Sequence, residues 1–228
     1  MTARPFVIWA AARTSSTNLC LALGAENEPF QAGPPASRLA WAYDDWRVTG
    51  DVRPIIDLAK SRTSFKHIPE DFDDGFNQAL AEWTTLNGYQ HIHLVRLDEV
   101  SRLISLDVAG QLDAWWPHDA EARFAELRSG LRHLNPLDVP RLVGVSKNSR
   151  RSWAAVACHL GPVLTVTFER LTAREPLIRR PELSRLRRFL ELREEFERLD
   201  AAMGTGGQDT GQIRDLIPNI DELRRSLA

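Results

Sequence analysis

Hydrophobic and polar positions fall into blocks along the chain. Apolar runs of strand length close in a polar turn, and segments with apolar residues at helical spacing follow. The runs Phe6 to Ala11, Ser64 to Ile68, Ile92 to Arg96 and Val163 to Phe168 predict strands. After the third, Leu97, Val100, Leu103, Ile104 and Val108 start a helix almost at once. Residues 71–86 and 120–134 read as amphipathic helices, as do the segment from Pro181 to about Met203 and a last one from Asn219 to Leu227. Short unbroken apolar strands alternating with helices are the signature of a parallel sheet covered on both faces. The prediction is an α/β fold, a central parallel β-sheet flanked by helices in three layers, with residues 1–228 as one domain.

Two stretches interrupt this rhythm. Residues 24–54 hold Gly24, Pro29, Gly33, Pro34, Pro35, Gly50 and Pro54 together with Trp41, Tyr43 and Trp46, which predicts a long loop folded over something. Residues 204–211 are rich in glycine and read either as a connector to the last helix or as a ligand loop.

Composition narrows the partners. With 29 basic and 31 acidic residues in 228, the formal net charge is -2, so a small anionic ligand is expected and nucleic acid is not. The two cysteines, Cys20 and Cys158, supply neither a disulfide framework nor a thiolate zinc site and point to a reducing compartment. Arg4 is the one charged side chain before the first apolar run, and no stretch reaches the ~20 apolar residues of a membrane span. The expectation is a cytoplasmic protein without a membrane span.

The first block carries the strongest chemical signal. The apolar run Phe6 to Ala11 breaks into Arg13-Thr14-Ser15-Ser16-Thr17-Asn18 and then a helical pattern. A buried strand feeding a hydroxyl-rich turn and a helix start is an oxyanion cradle, because main-chain amides, hydroxyls and a guanidinium converge there. Phosphate or sulfate is the expected guest. No glycine stands between residues 6 and 23 and no Gly-Lys-Ser/Thr closes the turn, which disfavours the common triphosphate loop. Two structural alternatives stay open: Arg13 pairing with a helix end or a surface carboxylate, and Ser16 as an ordinary N-cap.

A second block completes a possible anion site. Arg96 falls where the third strand stops, and Ser101 and Ser105 lie one turn apart on the helix that follows. A guanidinium fork with hydroxyls beside a helix start suits a phosphomonoester. Arg96 could instead pair with Asp98 or Glu99. His91 and His93 alternate on a strand and so face opposite sides, which argues against a metal pair, and no metal site is expected.

Taken in order, these segments resemble sulfotransferases that use 3′-phosphoadenosine-5′-phosphosulfate (PAPS), a family with a P-loop NTPase-like fold. Arg13-Thr14-Ser15-Ser16-Thr17 is similar to the family's Arg/Lys-Ser-Gly-Thr-Thr turn, with Ser15 where the glycine usually stands. His91 to Leu106 resembles the strand and helix that bind the 3′-phosphate, and the continuation to Trp115 and Trp116 is most similar to the bacterial trehalose sulfotransferase-like group. Phe65-Lys66-His67-Ile68-Pro69 resembles a Lys-Thr-His-Leu-Pro signature, and Val163 to Leu171 resembles a late strand ending Tyr-Glu-Asp-Leu.

The resemblance implies an enzyme that moves a sulfuryl group from PAPS to a hydroxyl or amine of a small-molecule or carbohydrate acceptor, releasing 3′,5′-adenosine bisphosphate (PAP), without a metal. It implies that Arg13, Thr14, Ser15, Ser16, Thr17 and Asn18 hold the 5′-phosphosulfate, and that Arg96 with Ser101 or Ser105 holds the 3′-phosphate. It assigns the acceptor's proton to Glu28 or His67, with the nearby Glu26 as an alternative to Glu28. A nucleotide-binding protein without transfer activity, or a nucleotide or small-molecule kinase, is the competing class. The acceptor is expected near residues 24–54 and the pair Trp115 and Trp116.

Overall fold

The computed structural model describes residues 4–25, 38–115, 117–192, 196–204 and 210–228. Its element order is β1 (Phe6–Ala10), α1 (Ser16–Ala22), α2 (Arg38–Thr49), α3 (Arg53–Lys60), β2 (Phe65–His67), α4 (Asp74–Leu86), β3 (Gln90–Val95), α5 (Glu99–Leu112), α6 (Pro117–Arg128), α7 (Val139–Ala157), β4 (Val163–Thr167), α8 (Phe168–Leu171), α9 (Pro176–Phe189), α10 (Phe196–Gly204) and α11 (Ile220–Leu227). Short 3₁₀ turns cover Pro69–Asp71 and Thr210–Leu216.

The fold is α/β, as the pattern predicts. All strand pairs are parallel and the sheet order is β2-β1-β3-β4. Alternation along β1 divides the interior, since successive side chains leave opposite faces. Phe6, Ile8 and Ala10 pack with Leu19, Leu183, Leu186 and Leu199 of α1, α9 and α10. Val7 and Trp9 pack with Ile55, Phe76, Leu80 and Val156 of α3, α4 and α7. A further cluster joins α5, α6, α7 and α11 through Leu103, Phe124, Leu142 and Leu223. Among the described residues no helix is long and apolar enough to cross a membrane.

The strand order sets the position of the site. From β1 the chain passes to β2 on one side, and from β3 it passes to β4 on the other. The carboxyl ends of neighbouring β1 and β3 therefore open onto a crevice at a topological switch point, where α/β sheets hold their ligands.

Three helical assignments differ from the sequence reading. Within the expected loop at 24–54, α2 spans Arg38–Thr49 and α3 begins at Arg53, because Ala42, Tyr43 and Trp46 form an apolar face against Phe72 and Phe76. The Pro and Gly residues bracket α2 without entering it. Helix α7 was absent from the reading; its start is fixed by Asp138, whose carboxylate accepts from the amide of Arg141, and by a proline in the first turn. The long helix expected from Pro181 to Met203 is divided into α9, which starts earlier and carries Pro181 within it, and α10.

Candidate functional site

From β1 the chain turns through Ala11–Ser15 into α1. Arg13 and Ser15 both adopt left-handed backbone, with φ of 67° and 59°. Ser15, the residue in the position of the family's glycine, is the N-cap and makes no side-chain capping bond. An L-residue held there costs about 1–2 kcal/mol, and such strain collects at functional turns. Turns of this kind gather main-chain amides into a concavity that favours anions. Thr14 is buried and its hydroxyl donates to the carbonyl of Ala11 at 2.8 Å, so it closes the turn. Ser16 is buried at the first position of α1, and Asn18 is partly exposed on the same helix.

Beneath the turn lies Lys66, the middle residue of the buried β2. It is 2 % exposed and its Nζ donates to Thr17 Oγ1 at 2.9 Å. Burial pulls its ammonium down to about 8. A hydroxyl that accepts from lysine has its own proton free to donate, so Lys66 turns Thr17 into a hydrogen-bond donor toward an anion.

Arg96, at the end of β3, reaches back across the crevice. Its Nη1 donates to the carbonyl of Arg13 at 3.1 Å and its guanidinium lies 4.4 Å over the ring of Phe168. Arg96 Nε is buried and has no hydrogen-bond partner among the described residues. Arg13 donates through Nε to Ser105 Oγ at 3.1 Å and through Nη1 to the carbonyl of Trp115 at 3.2 Å. Burial and the nearby Arg96 lower Arg13 to about 10, the mark of two cations sharing a desolvated space. Arg13, Arg96 and Ser105 thus converge, although the resemblance assigns Arg13 and Ser105 to opposite ends of the donor.

The other predicted residues are placed elsewhere. Ser101 is occupied at the start of α5, where its amide and hydroxyl bond the two oxygens of Asp98 at 2.9 and 2.6 Å. His67 is fully buried: Nε2 meets Asn77 Oδ1 at 2.6 Å, and the ring packs on Trp9 and Phe72. Burial lowers it to about 4, and it lies in the core layer instead of facing the crevice. Glu28 and Glu26 lie outside the described residues, as do Trp116 and residues 205–209.

A polar network unmarked in the sequence reading lines the crevice. Arg102, 2 % exposed, forks onto Glu99 at 2.7 and 2.9 Å and donates to the carbonyl of Ala12 at 3.1 Å. Glu70, in the turn after β2, accepts the amide of Ala12 on Oε1 at 2.9 Å and the hydroxyl of Ser149 on Oε2. Its one legible signal was position, a carboxylate just past a strand's carboxyl end. These groups face a cavity of about 300 Å³, which also meets Thr14, Arg96, His93 and Trp153. His93 and Trp153 stack at 3.5 Å with an interplanar angle of 13°.

Protein-family models, curated proteins and solved structures yield no match to this chain. Its chemistry is therefore read from the crevice itself. Cations, donor hydroxyls and a strained turn on one wall suit an anion of the phosphate or sulfate type; carboxylates and a stacked aromatic pair on the other suit a hydroxylated partner.

Proposed function

We propose that the protein is a PAPS-dependent sulfotransferase acting on a hydroxyl of a small-molecule or carbohydrate acceptor. The observation that carries this reading is the convergence of Arg13, Arg96 and Ser105 at the β1–β3 switch point, above a turn whose backbone is left-handed at the position of the family's glycine. The phosphosulfate would lie against the turn, with Arg13, Ser16 and Thr17 as donors. Arg96 would hold the 3′-phosphate that separates PAPS from ATP, with Ser105, which accepts from Arg13 Nε at 3.1 Å, standing between the two ends. Ser101, bound to Asp98, leaves that position to Ser105.

Catalysis of this kind rests on positioning and on donors aimed at developing charge. Negative charge grows on the oxygen joining sulfur to the 5′-phosphate, and Arg13 is the guanidinium donor carried by the turn itself. Its raised electrostatic cost beside Arg96 favours a bound polyanion. The test is transfer of radiolabelled sulfate from PAPS to a panel of sugars and phenols, with Arg13→Ala as the control. Transfer that falls ~10²-fold or more in the variant supports the reading; transfer within a few-fold removes Arg13 from it.

A further inference from the structure

We infer that Glu70 is the residue that takes the proton of the acceptor hydroxyl. This rests on the sulfotransferase reading and names a catalytic group for it.

Five observations carry the inference. Glu70 follows Pro69 immediately after β2, so it stands at the carboxyl end of the strand beside β1, level with the anion turn. The contact with the turn is direct, since Oε1 accepts the amide of Ala12, the residue before Arg13, at 2.9 Å. The carboxylate is 8 % exposed and faces the same cavity as Thr14 and Arg96. An acceptor in that cavity therefore meets Thr14 of the turn and Arg96 together with the Glu70 carboxylate.

The fourth and fifth observations concern orientation and room. Arg102 donates through Nη2 to Ser149 Oγ at 3.5 Å, and Ser149 bonds Glu70 Oε2, so the hydroxyl proton of Ser149 points at the carboxylate. Arg102 is held in turn by its fork onto Glu99. A carboxylate has about four lone-pair positions; Ala12 and Ser149 take two and Arg102 Nη1 pairs with Oε1 at 3.8 Å, which still leaves a site for a substrate hydroxyl. The cavity of about 300 Å³ is of small-ligand size, and Trp153, stacked on His93, gives a ring-bearing acceptor an aromatic wall.

The step balances without a further reactant. The acceptor oxygen bonds to sulfur, the bond from sulfur to the 5′-phosphate oxygen breaks, PAP leaves with that electron pair, and the acceptor's proton passes to Glu70 Oε. Proton transfer by a positioned carboxylate contributes ~10²–10⁴ in rate.

The test separates turnover from donor binding. Glu70→Gln should lower kcat by ~10² or more while PAP affinity, measured by calorimetry, changes less than about three-fold. Glu70→Asp, which keeps a carboxylate, should retain more turnover than Glu70→Gln, and added formate should restore part of the turnover of Glu70→Ala. Turnover in Glu70→Gln within a few-fold of the parent would overturn the proposal. So would equal loss in the Asp and Gln variants, loss that tracks PAP affinity, or no response to formate. A parent protein that transfers sulfate while Glu70→Gln stays active removes this proposal alone. A parent that neither binds PAP nor transfers sulfate removes the donor reading and the proposal together.

Discussion

The guanidinium of Arg96 donates to the main-chain carbonyl of Arg13 at 3.1 Å, so the end of β3 clamps the turn that leaves β1. The same guanidinium stacks on Phe168 at the end of β4. One side chain thereby ties the carboxyl ends of the three strands β1, β3 and β4 together, and its charge stays in the crevice.

Removing that clamp should be felt as lost anion affinity. Arg96→Ala should weaken PAP binding by about 10–100-fold, the cost of one charge-assisted fork. Arg96→Lys should recover only part of it, because an ammonium lacks the planar fork that meets a carbonyl, a ring and an anion at once. Calorimetric titration of the two variants checks both.

Ser15 is strained at φ 59°, where glycine rests without cost. Ser15→Gly should hold or raise stability, by up to about 1 kcal/mol, whereas Ser15→Val should lower it by about 1–2 kcal/mol, since a β-branched residue fits the left-handed region worst. Chemical denaturation midpoints of both variants decide the sign. A glycine at this position should leave PAP binding intact.

Lys66 sets stability against function. Burial holds its ammonium at about 8 against an ordinary 10.5, so between those values the unfolded chain binds more protons than the folded one. Stability must therefore rise with pH across that window, with the full burial cost present below pH 8. Lys66→Met should stabilise the fold at pH 7 by about 1–3 kcal/mol, flatten that alkaline rise, and weaken anion binding by releasing Thr17. Thermal melts at pH 7 and 10 with parallel PAP titrations measure all three effects.

His67 should behave as a core residue. His67 and His91 are both held at about 4 by burial, against an ordinary 6.5. The unfolded chain binds more protons between those values, so stability is lost as pH falls from 6.5 to 4, at up to about 1.4 kcal/mol per pH unit for each histidine. His67→Gln should remove its share of that slope and leave the kcat of folded protein within a few-fold. Denaturation midpoints across pH 4–7 and a turnover assay test the two halves.

The sheet was legible because short runs of strand length, fully apolar in β1 and rich in Ile, Leu, Val and Thr in β3 and β4, each precede a helical pattern, and the first anion turn because a strand, hydroxyls and an arginine stand in one short stretch. Arg96 and Ser105 were legible from their positions behind β3. Helix α2 was hidden because prolines and glycines flanking Arg38–Thr49 were averaged with it into one loop. Glu70 and Ser149 could not be paired from sequence, since the bond between them spans 79 positions and depends on how α7 packs against the turn after β2. The burial of His67 could not be read from its local signature, which carries no information on which face of a short strand is sealed by Phe72 and Phe76. Arg102 sits at helical spacing among polar neighbours, and only the fold shows it to be buried against Ala12.

The central claim is that the Arg13, Arg96 and Ser105 cluster belongs to a two-ended site for a 3′-phosphorylated adenosine nucleotide. Isothermal titration of the parent protein with PAP and, separately, with ATP tests it most directly. The account predicts saturable PAP binding at least about ten-fold tighter than ATP, lost in Arg96→Ala. Equal weak binding of the two nucleotides, or PAP binding untouched by Arg96→Ala, would contradict it.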